Sequence, residues 1–166
     1  MRVLANLSSI FQDGPADFRQ YEYGRSGNPS RDTLERCLAS LDGADHAITF
    51  ASGLAALAAV TGLLSTGDHI VAMNDLYGGS NRYFGKVALK SGIETTSVDA
   101  TDAKNVERAM RSNTKMVWIE TPTNPTMKLV DIQAVVEIAH KHKGVFVVVD
   151  NTFESAYFQR PLELGI

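Results

Sequence analysis

The sequence predicts an α/β fold with a mostly parallel sheet that is doubly wound by helices. Two observations support this prediction. Short apolar segments alternate with longer amphipathic segments along most of the chain. The segment 145–149 is almost wholly β-branched, as is typical of a strand buried on both faces, and such strands belong to parallel sheets that helices cover.

The first 28 residues contain no regular pattern. Gly14-Pro15 and Gly27-Asn28-Pro29 break any continuous element. We therefore divide the chain into an irregular N-terminal arm, residues 1–28, and an α/β domain, residues 29–166.

The domain opens with a predicted helix. Ser30 is a candidate N-cap, the following apolar residues recur at helical spacing, and Gly43 can end the helix. After it, runs of apolar or β-branched residues bounded by turn residues predict strands, and segments with a period of 3.6 residues predict helices. The predicted strands are 46–50, 70–73, 94–98, 115–120 and 145–149, and the predicted helices are 52–64, 81–90, 102–110 and 131–142.

Composition excludes several classes of function. The 166 residues carry a net charge of −3, so no basic surface for nucleic acid or an acidic membrane is expected. Cys37 is the only cysteine, which excludes an internal disulfide and fits a reducing compartment. The N-terminus does not resemble a signal peptide, and the longest apolar run, 54–60, is too short to cross a bilayer. We expect a cytoplasmic protein.

In open α/β sheets, ligands bind beyond the carboxyl ends of the strands, so polar residues there are the first candidates. Ser52-Gly53-Leu54 follows a predicted strand and begins a helix, where free N–H groups and the helix dipole favour a phosphate. A plain helix cap explains the same residues. The segment is neither a Rossmann glycine motif nor a P-loop.

Asp150 directly follows the apolar run 145–149, where a carboxylate needs a partner because unpaired burial is costly. A protonated pyridine nitrogen would be such a partner, and a helix cap or a metal ligand is the alternative. No Cys/His/Asp cluster has zinc spacing, and His140 and His142 do not share a helix face, so no metal site is predicted.

Two further segments stay ambiguous on their own. In 120–125, two prolines can hold Asn124 in one orientation, although a structural turn explains such a stretch as well. Tyr77-Gly78-Gly79 is either a loop with a functional aromatic residue or a turn beside a core tyrosine.

Taken together and in order, these motifs resemble the pyridoxal 5′-phosphate (PLP)-dependent enzymes of cysteine and methionine metabolism. Within that family the resemblance is closest to the gamma-lyases that cleave cystathionine. The similar segments are 21–29, 50–55, 77–79, 81–84, 118–126, 149–152 and 157–162. The resemblance implies the large domain of the PLP-dependent aminotransferase type I-like fold, incomplete at its C-terminus.

The resemblance also implies roles for individual residues around the cofactor. Gly53 and Leu54, in one turn with Ser52, would donate backbone N–H groups to the PLP phosphate. Tyr77 would stack on the cofactor ring, and Asp150 would pair with the pyridinium nitrogen, so these two are the implied catalytic residues.

Other implied roles concern the substrate and a neighbouring subunit. Asn124 would lie beside the cofactor's phenolic oxygen and the substrate carboxylate, and Thr152 near the cofactor. Tyr23 and Arg25 would reach the phosphate of a neighbouring subunit, which implies a homo-oligomer, usually a tetramer built as a dimer of dimers. Arg25, Tyr77, Arg82 and Asn124 are the implied substrate contacts.

The implied reaction is elimination from cystathionine, which gives cysteine, 2-oxobutanoate and ammonia. The family's Ser-Ala-Thr-Lys segment, with its Schiff-base lysine, is expected after Ile166, so we expect the 166-residue chain to be inactive alone. Glu154 stands where a small or apolar residue is expected. A non-catalytic protein that assembles with full-length subunits stays an alternative, as do cystathionine gamma-synthase, cystathionine beta-lyase and methionine gamma-lyase activities.

Overall fold

The structure is a computed structural model that describes Tyr21 and residues 23–166. The chain divides into two compact units, residues 1–49 and residues 50–166. The boundary that the sequence predicts after residue 28 stays a prediction.

The described part of the first unit is built on helix α1, Pro29–Asp42. Asn28 is its N-cap, because its side-chain oxygen accepts the backbone N–H groups of Ser30 and Arg31 at 3.0 and 3.1 Å. The prediction that Ser30 is the N-cap was therefore wrong: Pro29 takes the first helical position, and the cap is Asn28, the residue directly before that proline. Gly43 ends the helix at φ 67°, as predicted.

The predicted strand 46–50 does not form. A strand needs a neighbouring strand for its hydrogen-bond ladder, and residues 46–50 pair with none in the described part of the chain. The backbone N–H and hydroxyl of Thr49 instead donate to the Glu35 carboxylate at 2.8 and 2.9 Å.

The second unit alternates helices and strands as predicted, with a few shifted bounds. Its helices are α2 (Gly53–Thr61), α3 (Gly78–Arg82), α4 (Ala103–Ala109), α5 (Ile132–His140) and α6 (Ser155–Phe158), and its strands are β1 (His69–Met73), β2 (Glu94–Val98), β3 (Thr114–Glu120) and β4 (Phe146–Asp150). A π-helical turn, Tyr83–Ala88, and a 3₁₀ turn, Leu89–Ser91, continue α3, and a second 3₁₀ turn spans Pro161–Leu164. None of the described helices has the length and apolar character needed to cross a bilayer.

The four strands form one parallel sheet in the order β2-β1-β3-β4. The connection after β1 leads to one side of the sheet, and the connection after β3 leads to the other. Because such crossovers are right-handed, the α3 segment covers one face, and α4 and α5 cover the opposite face. From β1 the chain moves outward to β2, and from β3 it moves outward to β4 in the opposite direction, so the topological switch point lies between β1 and β3. Ligands bind beyond the strand ends at such a point.

The most buried strand is β1, in which all five residues are buried. The prediction that 145–149 is buried on both faces was wrong. Strand β4 pairs with β3 alone among the described strands, so it lies at the edge of the sheet and most of its residues are half-buried.

A β-bulge occurs where β3 begins. His69 pairs with Thr114 and Ile70 pairs with Met116, so Lys115 is an extra residue without a partner in β1. Because side chains alternate along a strand, the bulge places Thr114 on the face of His69, and Met116, Trp118 and Glu120 on the other face.

Polar groups at the amino end of the sheet are hydrogen-bonded to one another. The two ring nitrogens of buried His69 lie 2.8 Å from the hydroxyls of Thr114 and Thr96. Arg111 joins the same cluster, since its guanidinium contacts Thr96 and its ion-pair partner Glu94. Burial lowers the pKa of His69, as does the nearby positive charge of Arg111, while Glu94 opposes the shift.

Candidate active site

A cavity of about 660 Å³ lies at the carboxyl end of the sheet, within the size range of small-molecule and cofactor sites. Its floor is the sheet face that carries Trp118, Glu120, Val148 and Asp150, and α2 forms one wall. Predicted site residues from four separate segments line it: Ser52, Gly53, Leu54, Tyr77, Asn124, Asp150 and Thr152.

The N-terminus of α2 provides free hydrogen-bond donors at the cavity. Ser52 is the N-cap, and its hydroxyl oxygen accepts the N–H of Ala55 at 3.2 Å. The N–H groups of Gly53 and Leu54, at the first two helical positions, have no intrahelical acceptor. A Cβ atom on Gly53 would meet nothing within 4 Å, so its backbone is open to a ligand. The helix dipole adds partial positive charge, which favours an anion here.

Asp150 is the last residue of β4, and its carboxylate is held in place by Thr152. The backbone N–H and the hydroxyl of Thr152 both donate to Oδ1, at 3.1 and 2.5 Å. The arrangement provides a fixed negative charge at one side of the cavity.

The ring of Tyr77 lies against Gly79 and beside Leu54. A Cβ atom on Gly79 would come within 2.5 Å of the Tyr77 ring and 3.2 Å of the Leu54 side chain. Glycine at position 79 therefore leaves the space that the aromatic ring occupies. Tyr77 is 50% exposed, so much of its ring is available to a ligand.

The loop that carries Asn124 is tied to the end of β1. Asp75 accepts hydrogen bonds from the hydroxyls of Thr123, at 2.5 Å, and Thr126. These bonds, with that of Thr123 the larger cause, lower the pKa of Asp75. Thr123 also accepts the N–H of Lys128 at 2.9 Å, so the loop is braced on both sides of Asn124.

A second brace joins the loops after β3 and β4. The Gln159 side-chain amide donates to the Thr121 carbonyl at 3.1 Å and to the Asn151 side chain at 2.8 Å, and Asn151 donates to the Gln159 carbonyl at 2.8 Å. Sequence reasoning missed Gln159 because its partners are distant along the chain.

Sequence reasoning also missed Glu120 as a site residue. It is only 4% exposed, lines the cavity, and accepts the backbone N–H of Tyr77 at 3.0 Å. Burial raises its pKa, the N–H groups of Tyr77 and Asn124 oppose that shift, and the negative charge of Asp150 adds to it. Its position at the end of a strand, after the buried Trp118 and Ile119, was the available signal.

Three predicted residues are not among those that line the larger cavity. Arg82 borders a separate, shallower cavity of about 370 Å³ together with Lys86. Tyr23 and Arg25 belong to the first unit, where the Arg25 guanidinium lies 4.7 Å from the centre of the Tyr23 ring. Glu154 is half-buried and precedes α6.

The lysines of the sequence all fall within the described residues, and none of them lines the larger cavity. Lys128 and Lys141 are paired instead with Asp99 and Glu107 at 3.3 Å.

The chain is similar to known proteins of one enzyme family. A family model described as "Cys/Met metabolism PLP-dependent enzyme" matches residues 3–166. The chain is 54% identical to cystathionine gamma-lyase of Rattus norvegicus over 161 residues, and 52% identical to that of Homo sapiens. Each match covers 96% of this chain and 40% of the relative, so the chain spans about two fifths of the length of these relatives.

A crystal structure of cystathionine gamma-lyase from Lactobacillus plantarum, complexed with L-serine, is also similar. It superimposes with a TM-score of 0.88 at 42% identity, over 94% of this chain and 41% of that one. This match confirms the predicted α/β fold, and the family match covers nearly the whole sequence. The chain belongs to the Cys/Met metabolism PLP-dependent enzyme family.

Proposed function

We propose that this chain forms the cofactor-binding part of a cystathionine gamma-lyase. The proposed activity of the whole protein is elimination from cystathionine, which gives cysteine, 2-oxobutanoate and ammonia. The observation that supports it most is a single cavity with a helix N-terminus at one side and a fixed carboxylate at another. The names of the relatives favour the gamma-lyase over the related activities.

The residues of the cavity fit PLP. The free N–H groups of Gly53 and Leu54 suit a phosphate, and Asp150 suits a protonated pyridine nitrogen. Tyr77 offers an aromatic face for the ring, and Asn124 offers an amide for polar groups of cofactor and substrate. We infer that these residues hold the cofactor.

When bound, PLP supplies an electron sink for bond cleavage at an amino-acid substrate. The proposed contribution of Asp150 is to keep a proton on the ring nitrogen, because its charge favours the protonated ring. Thr152 holds Asp150 in one orientation by its two hydrogen bonds. The braced loop holds Asn124 at the mouth of the cavity.

The proposal extends to residues outside the cavity. Tyr23 and Arg25 are proposed to reach the phosphate at the site of a neighbouring subunit, since arginine donates two parallel hydrogen bonds to a phosphate. Arg82 is proposed to contact substrate. These roles require a homo-oligomer, for which we propose a cytoplasmic tetramer.

A test of the phosphate site uses the exposed, open position of Gly53. Gly53→Asp should fold, because its Cβ meets nothing within 4 Å and an acidic residue stabilises the first turn of a helix. It should nevertheless weaken PLP binding by at least about tenfold, since a like charge about 4 Å away costs on the order of 4 kcal/mol near a protein surface. Isothermal titration of the 166-residue chain measures this affinity.

Gly53→Asn is the matched control, because it has the same shape without the charge. We expect it to bind PLP more tightly than Gly53→Asp. Equal affinity of the two variants and the unchanged chain would contradict a phosphate at the α2 N-terminus.

The covalent attachment of PLP can be tested separately. Because no lysine lines the cavity, borohydride reduction of the chain mixed with PLP should label lysines in a scattered and substoichiometric way. Peptide mass spectrometry locates the labels. Stoichiometric labelling of one lysine, together with turnover of cystathionine, would show that the chain alone is a complete enzyme.

A further inference from the structure

Glu120 is a buried acid whose position in the cavity is not explained by the roles above. Its side chain is 4% exposed, and burial of a carboxyl group is unfavourable unless hydrogen bonds compensate. It is the last residue of β3 and pairs in register with Asp150, the last residue of β4. Neighbouring strands lie about 4.8 Å apart, so two carboxyl groups stand side by side on the cavity floor.

The two carboxyl groups are held differently. Asp150 is half-buried and accepts two hydrogen bonds from Thr152. Glu120 is more deeply buried and accepts the N–H of Tyr77, 43 residues away in sequence. Burial raises the pKa of Glu120, and the negative charges of Asp150 and Asp75 add to that shift, whereas the N–H groups of Tyr77 and Asn124 oppose it.

The hydrogen bond from Tyr77 to Glu120 connects the loop between β1 and α3 to the end of β3, next to the topological switch point between β1 and β3. It fixes the backbone from which the Tyr77 ring extends over Gly79. We propose that Glu120 is a positioning residue: its carboxyl group holds Tyr77 in place, and it lies beside Asp150 in a two-carboxyl unit on the cavity floor. This inference rests on the proposed function for the identity of the ligand, and on the described contacts alone for the unit itself.

The first test needs no ligand. Carbon-13 NMR of the carboxyl groups of the 166-residue chain should show one glutamate that titrates at higher pH than the others and disappears in Glu120→Gln. Asp150→Asn removes the neighbouring charge, so the midpoint of Glu120 should move to lower pH. Glu137→Gln, an exposed residue of α5, is the control and should leave both titrations unchanged.

NMR titration of the same chains also tests whether Glu120 holds the Tyr77 backbone in place. The Tyr77 amide signal should follow the Glu120 titration in the unchanged chain and should lose that pH dependence in Glu120→Gln. A Glu120 midpoint that Asp150→Asn leaves unmoved, or a Tyr77 amide that is insensitive to Glu120, would overturn the inference. A purely structural role predicts neither pH dependence.

The second test uses 4-deoxypyridoxine 5′-phosphate, a PLP analogue without the reactive aldehyde. Glu120→Ala should weaken its binding by about 3- to 10-fold, the value of a typical hydrogen bond, because the Tyr77 backbone loses its acceptor. Glu120→Gln should retain the affinity, since its amide oxygen can still accept the N–H. Equal affinity of Glu120→Ala and the unchanged chain would overturn the positioning role.

A failure of the proposed cofactor function can be distinguished from a failure of the inference about Glu120. If the unchanged chain does not bind the analogue, the proposed cofactor function fails, and the NMR titration still decides whether Glu120, Asp150 and Tyr77 form the unit.

Discussion

At the amino end of the sheet, His69 is fully buried and each ring nitrogen lies 2.8 Å from a threonine hydroxyl. At the carboxyl end, Gly53 and Leu54 have N–H groups without helical acceptors, and the buried indole N–H of Trp118 has no partner among the described residues. The ring nitrogens of His69 have partners, whereas the Thr95 hydroxyl near the amino end and the Trp118 indole at the cavity have none among the described residues. The difference between the ends is that the carboxyl end presents free, exposed N–H groups at a cavity, which suits a ligand, whereas the paired groups around His69 suit stability.

The largest effect should follow from removing the charge at the carboxyl end. Asp150→Asn keeps the shape of the side chain but cannot hold a proton on the ring nitrogen by charge. In a chimeric gamma-lyase that carries this chain in place of its own matching segment, we expect turnover of cystathionine to fall about 10²- to 10³-fold, as for other lost electrostatic groups. Steady-state kinetics measures it.

Binding of PLP should persist in that variant, and Asp45→Asn, an exposed carboxylate in the first unit, is the control. Near-normal turnover in Asp150→Asn would contradict a functional role for the carboxyl end of the sheet.

The next largest effect should come from the amino end. Thr114→Val removes the hydroxyl that contacts His69 and accepts the Arg111 N–H at 2.8 Å. Leaving those buried groups unpaired should lower the free energy of unfolding by about 1–3 kcal/mol. Urea unfolding measures this, and PLP affinity should not change. A large loss of affinity in the folded variant would mean that the two ends are not separate in function.

A smaller effect should follow from filling the space under Tyr77. In Gly79→Ala the new methyl group would meet the Tyr77 ring, which is exposed enough to move aside. We expect PLP affinity to fall by about 3- to 10-fold, corresponding to the loss of roughly 1 kcal/mol of aromatic contact. Thermal stability should stay the same or rise, since alanine favours a helix more than glycine. Lower stability with unchanged affinity would contradict this role of Gly79.

The smallest effect concerns pH. The pKa of His69 is lowered in the folded chain, so between that pKa and the ordinary value near 6.5 the unfolded chain binds more protons. The free energy of unfolding should therefore decrease as pH falls below about 6.5 and level off below the folded pKa. Urea unfolding across this range measures it, and a His69→Gln variant should show a weaker dependence. Identical pH profiles would exclude His69 as the cause.

Local patterns were sufficient to predict much of the fold. Strand β2 has the bounds that the β-branched run 94–98 indicated. Asp102 and Asp131, placed at the starts of predicted helices, are the N-caps of α4 and α5. These features depend on residues within one turn of each other, so the sequence contains the whole cause.

Features that depend on distant partners were not predictable in the same way. Residues 46–50 have a strand-like composition, but a strand requires a neighbour that the pattern does not reveal. Seven of the candidate site residues line one cavity. They could be predicted because family motifs indicated them. Glu120 was missed, because its hydrogen-bond partner Tyr77 lies 43 residues away in the sequence.

The bulge at Lys115 has a consequence for how a gene of this kind can change. Thr114 must face His69, whereas Trp118 and Glu120 must face the cavity, and a regular strand would put all three on one side. Deletion of the codon for Lys115 would join Thr114 directly to Met116, which keeps Thr114 towards His69 and Trp118 and Glu120 towards the cavity, because adjacent residues of a strand face opposite sides. The loss of Lys115 should therefore be tolerated, whereas deletion of Val117 would put Met116 and Trp118 on opposite faces and break their register with β1.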